Sequence, residues 1–221
     1  MKYLVPLLLS IFLGVNVMAA PGGGHNKITA YDYHDDLNSS IQSKTFVRYE
    51  NGVVFDFVWN FDRPNPNEVV RTEIATDASD NVTRYTKSIF VPATRSFDLV
   101  QTERYDPYVT PPALIETSDY NPPVAVLTNA MVPGIAWGSA GVINSMSSGE
   151  SYYTMKNEVL AIENVTVPAG AFNSCLKIHS TRQFGGSFSS RMDWYCPDTG
   201  LVKRINNGRI YLEMASVTYN E

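Results

Sequence analysis

Two cysteines, three histidines and a few acids are the residues of this 221-residue chain whose types could carry out chemistry. The cysteines flank a Gly185-Gly186 pair, which is typical of a two-residue hairpin turn because glycine adopts positive φ without strain. With that turn, opposite positions sum to 371, so Cys175 faces Cys196 directly. Opposite positions bring Cα atoms within disulfide range. The sequence therefore predicts a Cys175–Cys196 disulfide across one hairpin.

The histidines lack the neighbours that a metal site or a catalytic base requires. His34 lies among acids in YDYHDD, but adjacent residues of an extended segment point to opposite sides, and no second histidine or cysteine is near. The hairpin register places His179 opposite Met192, as an ordinary strand residue. We therefore expect no metal and no cofactor.

The sequence contains no recognisable catalytic motif. The segment WGSAG at residues 137–141 resembles the turn that carries a nucleophilic serine, but it lacks the first glycine and a histidine after it. Asp56 and Asp193 lie in strand patterns among apolar residues, and they are the candidates for a pair of catalytic carboxylates. The register pairs Asp193 with Ile178, which favours an edge or an exposed sheet face. We expect the protein not to be an enzyme.

The N-terminal residues predict export. Lys2 precedes an apolar run at residues 4–17, and small residues follow up to Ala19, which is the layout of a secretory signal peptide. The run is too short to span a bilayer. We predict that residues 1–19 are a signal peptide and that the rest is periplasmic, not membrane-spanning and in a compartment that favours disulfides. The net charge of −5, without basic runs, argues against nucleic acid as a partner.

Strand and turn signals dominate the remaining sequence and predict an all-β fold with a minor α part. Asn51-Gly52 predicts a hairpin whose opposite positions sum to 103, and apolar residues on both of its faces predict that both are covered. Two further hairpins are predicted to turn at Asp80-Asn81 and Asn207-Gly208. One face of the first hairpin carries five rings: Phe46, Phe55, Phe57, Trp59 and Phe61.

A stretch dense in proline separates these hairpins. Proline removes a backbone donor and is rare in central strands. The stretch could therefore be a linker between two domains or a long crossover within one domain. Its apolar residues favour the crossover, so we predict a single domain of residues 20–221 with a Pro-rich crossover at 105–133.

Three segments in the C-terminal half occur together in a known family. They are NPPVAVLTNAMVPGIAWGSAG, ENVTVPAGAFNSCLKI and MDWYCPDTGLVKR. In this order they resemble a family of uncharacterised bacterial periplasmic proteins whose fold is grouped with the lipoprotein-localisation factors. The resemblance covers residues 120–217 and implies a strongly curved antiparallel sheet, an incomplete β-barrel. Cys196 departs from the family pattern.

Two non-enzymatic functions fit such a half-barrel. The first is a carrier or binding module for an apolar ligand such as a lipid, held on the face of Phe46, Phe55, Phe57, Trp59 and Phe61. The alternative is a cell-envelope assembly or interaction protein that docks a protein partner. A carrier needs an open apolar cavity, whereas a docking protein can fill that space with its own rings.

Overall fold

The computed structural model describes residues 40–50 and 53–220, which form twelve antiparallel strands closed into a barrel. Each strand pairs with the next along the chain, and β12 pairs with β1. The all-β antiparallel prediction is confirmed, although the sheet closes completely and the described residues contain no helix. The strands are β1 (Ile41–Glu50), β2 (Val53–Asn65), β3 (Glu68–Thr76), β4 (Val82–Pro92), β5 (Ser96–Asp106), β6 (Ala113–Thr128), β7 (Ala136–Ser145), β8 (Gly149–Val167), β9 (Gly170–Phe184), β10 (Ser187–Cys196), β11 (Gly200–Asn206) and β12 (Arg209–Tyr219).

The strands alternate in direction, so successive connections between them lie at opposite ends of the barrel. The connections from each odd-numbered strand to the following even-numbered strand all lie at one end, which we call the hairpin end. The remaining connections lie at the opposite end, together with residues 40 and 220. Residues 1–19, the predicted signal peptide, lie outside the described residues, as do His25 and His34. Within the described ranges, no helix is long and apolar enough to cross a membrane.

The predicted disulfide hairpin is confirmed. In the β9–β10 pair, Phe184 faces Ser187 and His179 faces Met192, which is the register with the sum of 371. Cys175 and Cys196 are bonded to each other, with their Cα atoms 4.1 Å apart.

The other predicted hairpins are present, and the registers predicted for the first and third are confirmed as far as a bulge in the third. In the first hairpin Phe46 faces Phe57, as predicted, and the second turns between β3 and β4 around the predicted site. In the third, Ile205 faces Ile210 as expected, but a bulge then shifts Arg204 from Tyr211 to Leu212. A bulge inserts one residue that the partner strand does not match, so hydrophobic alternation does not reveal it.

Only one face of the first hairpin is covered, which corrects the expectation of two covered faces. Phe46, Phe57 and Trp59 are buried, whereas Tyr49 and Val54 on the other face are exposed. A closed barrel has a single interior, so the outer face of each strand meets solvent unless a partner covers it.

The Pro-rich stretch is part of the barrel wall, which corrects the predicted crossover at 105–133. Residues 113–128 form β6, which lies between β5 and β7. The backbone of β6 pairs with β7 only where residues 118–121 face 142–145. Pro122 and Pro123 follow directly and have no N–H to donate, so the ladder cannot continue through them.

Side chains bridge the wall where this ladder ends. The Trp137 indole N–H donates to the carbonyl of Ala125 at 3.1 Å, and the Ala125 N–H donates to the Ser139 hydroxyl at 2.9 Å. A Cβ atom added at Gly141 would collide with the backbone carbonyl of Asn121. The second glycine of the segment WGSAG, Gly141, therefore permits close approach of β6 and β7. The serine of the segment accepts a backbone hydrogen bond that holds the two strands together.

We expect Gly141→Ala to lower the free energy of unfolding by about 3 kcal/mol, because backbone atoms must move apart to accept the methyl group. Gly186→Ala is the control, since an added Cβ there meets nothing within 4 Å. Urea unfolding followed by tryptophan fluorescence measures both variants. Equal stability of the two would show that β6 and β7 do not approach closely at this point.

Candidate functional site

The five predicted ligand-binding rings face the barrel interior, where they contact other side chains of the protein. Phe46, Phe57, Trp59 and Phe61 belong to the main hydrophobic core, and Phe55 is half-buried. The ring centroids of Phe46 and Trp59 lie 4.6 Å apart. These rings share one face as predicted, and their contact with an apolar ligand stays a prediction.

A group of charged side chains adjoins this apolar core toward the hairpin end. We call it the charged belt; it consists of Arg71, Glu73, Arg191, Asp193 and Arg204. All five come from the inner faces of β3, β10 and β11, where they alternate with outward-facing residues. The Arg71 guanidinium also lies over the Trp59 ring at 4.1 Å, which connects the belt to the aromatic core.

Asp193 is the central anion of the charged belt. It is only 1% exposed, which corrects the expectation of an edge or exposed position. Arg204 donates to both of its oxygens, from Nε at 2.7 Å and from a terminal nitrogen at 3.0 Å. Arg191 Nε lies 2.9 Å from the second oxygen. A buried carboxylate remains charged only with such partners, because transfer out of water is costly.

The proton affinities of the belt follow from burial and from these ion pairs. Burial alone would raise the pKa of Asp193, but Arg191 and Arg204 outweigh it and hold the pKa below its usual value. Burial, together with the neighbouring Arg204, lowers the pKa of Arg191 to about 10. Burial and Asp193 raise the pKa of Tyr195 to about 12. Asp193 is thus a weak base with occupied lone pairs, poorly suited to proton transfer.

A polar pocket opens beside the belt at the hairpin end. It has a volume of about 250 Å³ and is lined by Arg84, Arg182, Arg191 and Arg204 together with Glu73, the ring of Phe57 and neutral polar residues. We call it the arginine pocket. Reasoning from the sequence missed it, because an arginine in an alternating strand is normally assigned to the solvent face. The β9–β10 register gave the only signal, since it places Arg182 and Arg191 on the same side as Ile178.

The outer surface of the hairpin end carries an unusual number of exposed apolar side chains. Of the fifteen exposed large apolar residues in the described part of the chain, eleven lie at this end. Tyr108, Tyr152 and Phe188 are exposed by 79%, 71% and 70%. We call this set the apolar rim: Tyr49, Val53, Val54, Tyr108, Val109, Leu114, Ile115, Met146, Tyr152, Phe188 and Ile210. Monomeric soluble proteins rarely expose such apolar groups together unless the surface binds something.

An open cleft of about 460 Å³ lies on the barrel wall, beside the incomplete β6–β7 ladder. It is lined by residues 136–140 of β7 and 154–157 of β8, and most of its surface is apolar. Trp137 forms part of the lining. This cleft is an apolar concavity that an alkyl chain could enter from solvent.

The described residues offer no obvious metal site. Within residues 40–50 and 53–220, no group of three His, Cys, Asp or Glu side chains is arranged to hold a metal ion. His179 Nε2 lies 2.9 Å from the Ser190 hydroxyl. The imidazole side chain lines an open surface pocket. His179 faces Met192 across the β9–β10 pair, as the predicted register requires.

Comparisons with known proteins identify the fold. No protein-family model and no curated protein matches the sequence. Among solved structures, the chain is similar to a protein from Bacteroides fragilis described as exported with a YmcC-like fold, and to one from Parabacteroides distasonis described as a lipoprotein. Each is 16% identical with a TM-score of 0.53, and each match covers 82% of this chain and 97% or 96% of the other. The chain thus shares the fold of these proteins; the predicted resemblance to the lipoprotein-localisation factors stays a prediction.

We expect Asp193→Asn to lower the free energy of unfolding by about 3 kcal/mol at pH 7, because it leaves two buried guanidinium groups without their anion. The folded-state pKa of Asp193 is lowered, so its stabilisation is complete above the usual aspartate pKa. It is lost as pH falls through the lowered value. The difference between wild type and variant should therefore shrink in strong acid.

Chemical denaturation at a series of pH values measures this difference, with Asp56→Asn as the control. Asp56 is exposed on the outer face of β2, so the same loss of charge should change stability by less than about 0.5 kcal/mol. An Asp193→Asn variant as stable as wild type at pH 7 would mean that the belt is not held by this carboxylate.

Proposed function

We propose that this chain is an exported, non-enzymatic protein of the cell envelope that docks a protein partner through the apolar rim at its hairpin end. The observation that carries the proposal is the concentration of exposed large apolar side chains at this one end. Hydrophobic and aromatic side chains are the groups that contribute most to protein interfaces. Their exposure in an isolated chain is unfavourable, and a partner would remove it.

Export and periplasmic location rest on three features. The N-terminal sequence has the layout of a signal peptide. The Cys175–Cys196 disulfide suits an oxidising compartment. The two solved structures of similar fold are described as an exported protein and a lipoprotein.

The packed interior favours docking over transport of an apolar ligand inside the barrel. The face of rings predicted to hold a ligand is in contact with the protein's own core, and Arg71 covers Trp59. A ligand of ordinary size would have to displace these side chains, at the cost of their packing.

Charged residues of both signs among the apolar rim favour a protein over a lipid surface as the partner. Glu50, Asp80 and Glu150 are exposed near the connections of the hairpin end, and so are the arginines at positions 84, 104 and 209. A protein partner can pair with both signs, whereas an anionic bilayer repels the acids.

Site-specific photo-crosslinking in the periplasm tests the docking proposal. A photoreactive residue at position 188, in the apolar rim, should form an adduct with one partner, whereas the same residue at position 132 should not. Val132 is also an exposed apolar residue, but it lies at the opposite end of the barrel. Tyr108→Ser, in another hairpin of the rim, should reduce the adduct at position 188 at least fivefold.

Two results would contradict the proposal. Equal adducts at positions 188 and 132 would indicate non-specific contact, and adducts with a second copy of this chain would indicate self-association. Tyr108 and Phe188 are solvent-exposed, so neither change should affect folding by more than about 0.5 kcal/mol. Circular dichroism verifies this.

A second candidate function, transport of an apolar ligand such as a lipid, is favoured by the cleft beside Trp137. Its volume of about 460 Å³ suits an acyl chain, and its surface is mostly apolar. The incomplete β6–β7 ladder also favours local opening of this part of the wall, since few backbone hydrogen bonds hold it.

We expect Trp137→Ala to weaken the uptake of a fluorescent fatty acid at least fivefold if the cleft binds lipid. Trp59→Phe, a change within the aromatic core, should have little effect in that case and a large effect if the interior binds the ligand. Fluorescence titration with micromolar probe measures both. Wild-type protein that takes up no probe would exclude the carrier function for fatty acids.

A further inference from the structure

Among the described residues, the arginine pocket and the adjoining belt carry more positive charge than the carboxylates around them neutralise. Arg71 contacts Glu73 at 2.6 Å, and Asp193 is shared between Arg191 and Arg204. These five groups leave one guanidinium in excess. The other two arginines of the lining, at positions 84 and 182, have no ion pair within the described part of the chain.

Arg182 is in the less favourable environment of the two, because Arg84 is exposed to solvent and Arg182 is partly buried. Its Nε is buried and has no hydrogen-bond acceptor among the described residues. An unsatisfied buried donor costs about 1–3 kcal/mol, and more when it is charged. Native proteins seldom retain such a group without a ligand or a functional reason. Other atoms of the same side chain line a pocket that opens to solvent, so an anion bound there would lie beside this guanidinium.

The lining combines these cations with neutral hydrogen-bonding groups. Ser189, Asn206, Asn207 and Tyr211 provide hydroxyl and amide groups around the same space. Guanidinium groups present a planar fork of donors that matches the two oxygens of a carboxylate or phosphate. A volume of about 250 Å³ accommodates such a group with a short polar substituent.

The short distance between the buried cations also favours binding of an anion. Arg191 lies close enough to Arg204 that the two repel each other, and burial with this repulsion lowers the pKa of Arg191 to about 10. An anion in the pocket would relieve this repulsion. The chain as a whole carries a net charge of −5, so general attraction of anions to a basic protein does not explain the pocket.

We propose that the arginine pocket is a binding site for an oxyanion, namely the carboxylate or phosphate group of a small polar ligand. Arg84 and Arg182 are the residues that bind the anion directly, and Asp193 positions Arg204 and Arg191 around it. The site is separate from the docking function, because it lies inside the barrel mouth and the apolar rim lies outside. Either one can exist without the other.

Titration of the purified protein with sodium phosphate, and separately with sodium acetate, tests the proposal. Sodium chloride at equal ionic strength corrects for general salt effects. At least one of the two oxyanions should raise the melting temperature in a saturable manner, as expected for a ligand that binds only the folded state. Phosphate alone would indicate a dianion site, and acetate alone a carboxylate site; both results support the proposal.

Arginine variants assign the binding to the pocket. Arg182→Gln and Arg84→Gln should each weaken the saturable effect at least tenfold, because each loses a charge-assisted hydrogen bond. Arg95→Gln is the matched control, since Arg95 is exposed in the turn between β4 and β5 at the opposite end. Arg84 is also exposed, so its variant should fold normally even if Arg182→Gln does not.

Two outcomes would overturn the proposal. One is a melting temperature that neither phosphate nor acetate raises above the chloride reference. The other is an equal response of Arg84→Gln and Arg95→Gln, which would place the anion outside the pocket.

Discussion

The structure depends on one constraint, which is that a closed barrel of twelve strands must fill its own interior. Barrels of about eight strands have an interior that ordinary side chains just fill, and the enclosed space grows with the number of strands. This chain fills the larger space with big side chains, both aromatic rings and arginines. Arginine suits the purpose because its long stem packs against rings while its guanidinium stacks on them. Arg71, which lies over Trp59 and Phe90 and also contacts Glu73, shows how one residue joins the aromatic core to the charged belt.

Local turn chemistry made much of the fold predictable from sequence. Two-residue turns with glycine fix the pairing of the strands on either side, so one turn sets every facing pair as far as the first bulge. That is why the Gly185-Gly186 turn predicted the Cys175–Cys196 bond ten residues away. The third hairpin marks the limit of this reasoning. Its bulge near Arg204 has no glycine or proline to announce it, and the register shifted by one residue there.

The errors in the sequence predictions share a cause, which is that closure is a property of the whole chain. The Pro-rich stretch looked unsuitable for a strand, because prolines interrupt backbone pairing. In the barrel it is tolerated, since the Trp137 and Ser139 side chains replace the missing backbone contacts of Ala125. Asp193 looked like a solvent-facing residue for a similar reason. Its two arginine partners come from its own strand and from the next one, and only the pairing of β10 with β11 shows that they surround it.

The alternation of side chains explains how one end of the barrel can present two different surfaces. Exposed Phe188 is followed by Ser189 of the arginine pocket, and exposed Ile210 by Tyr211, which also lines it. Adjacent residues of a strand point to opposite sides, so the apolar rim and the arginine pocket are built from the same strand ends. A partner that covers the rim would therefore also restrict the pocket mouth. Such a restriction slows the entry and exit of the anion. It changes the affinity for the anion only where the partner also shifts the pocket residues, and thermodynamic linkage then requires that the anion alters partner affinity by the same factor.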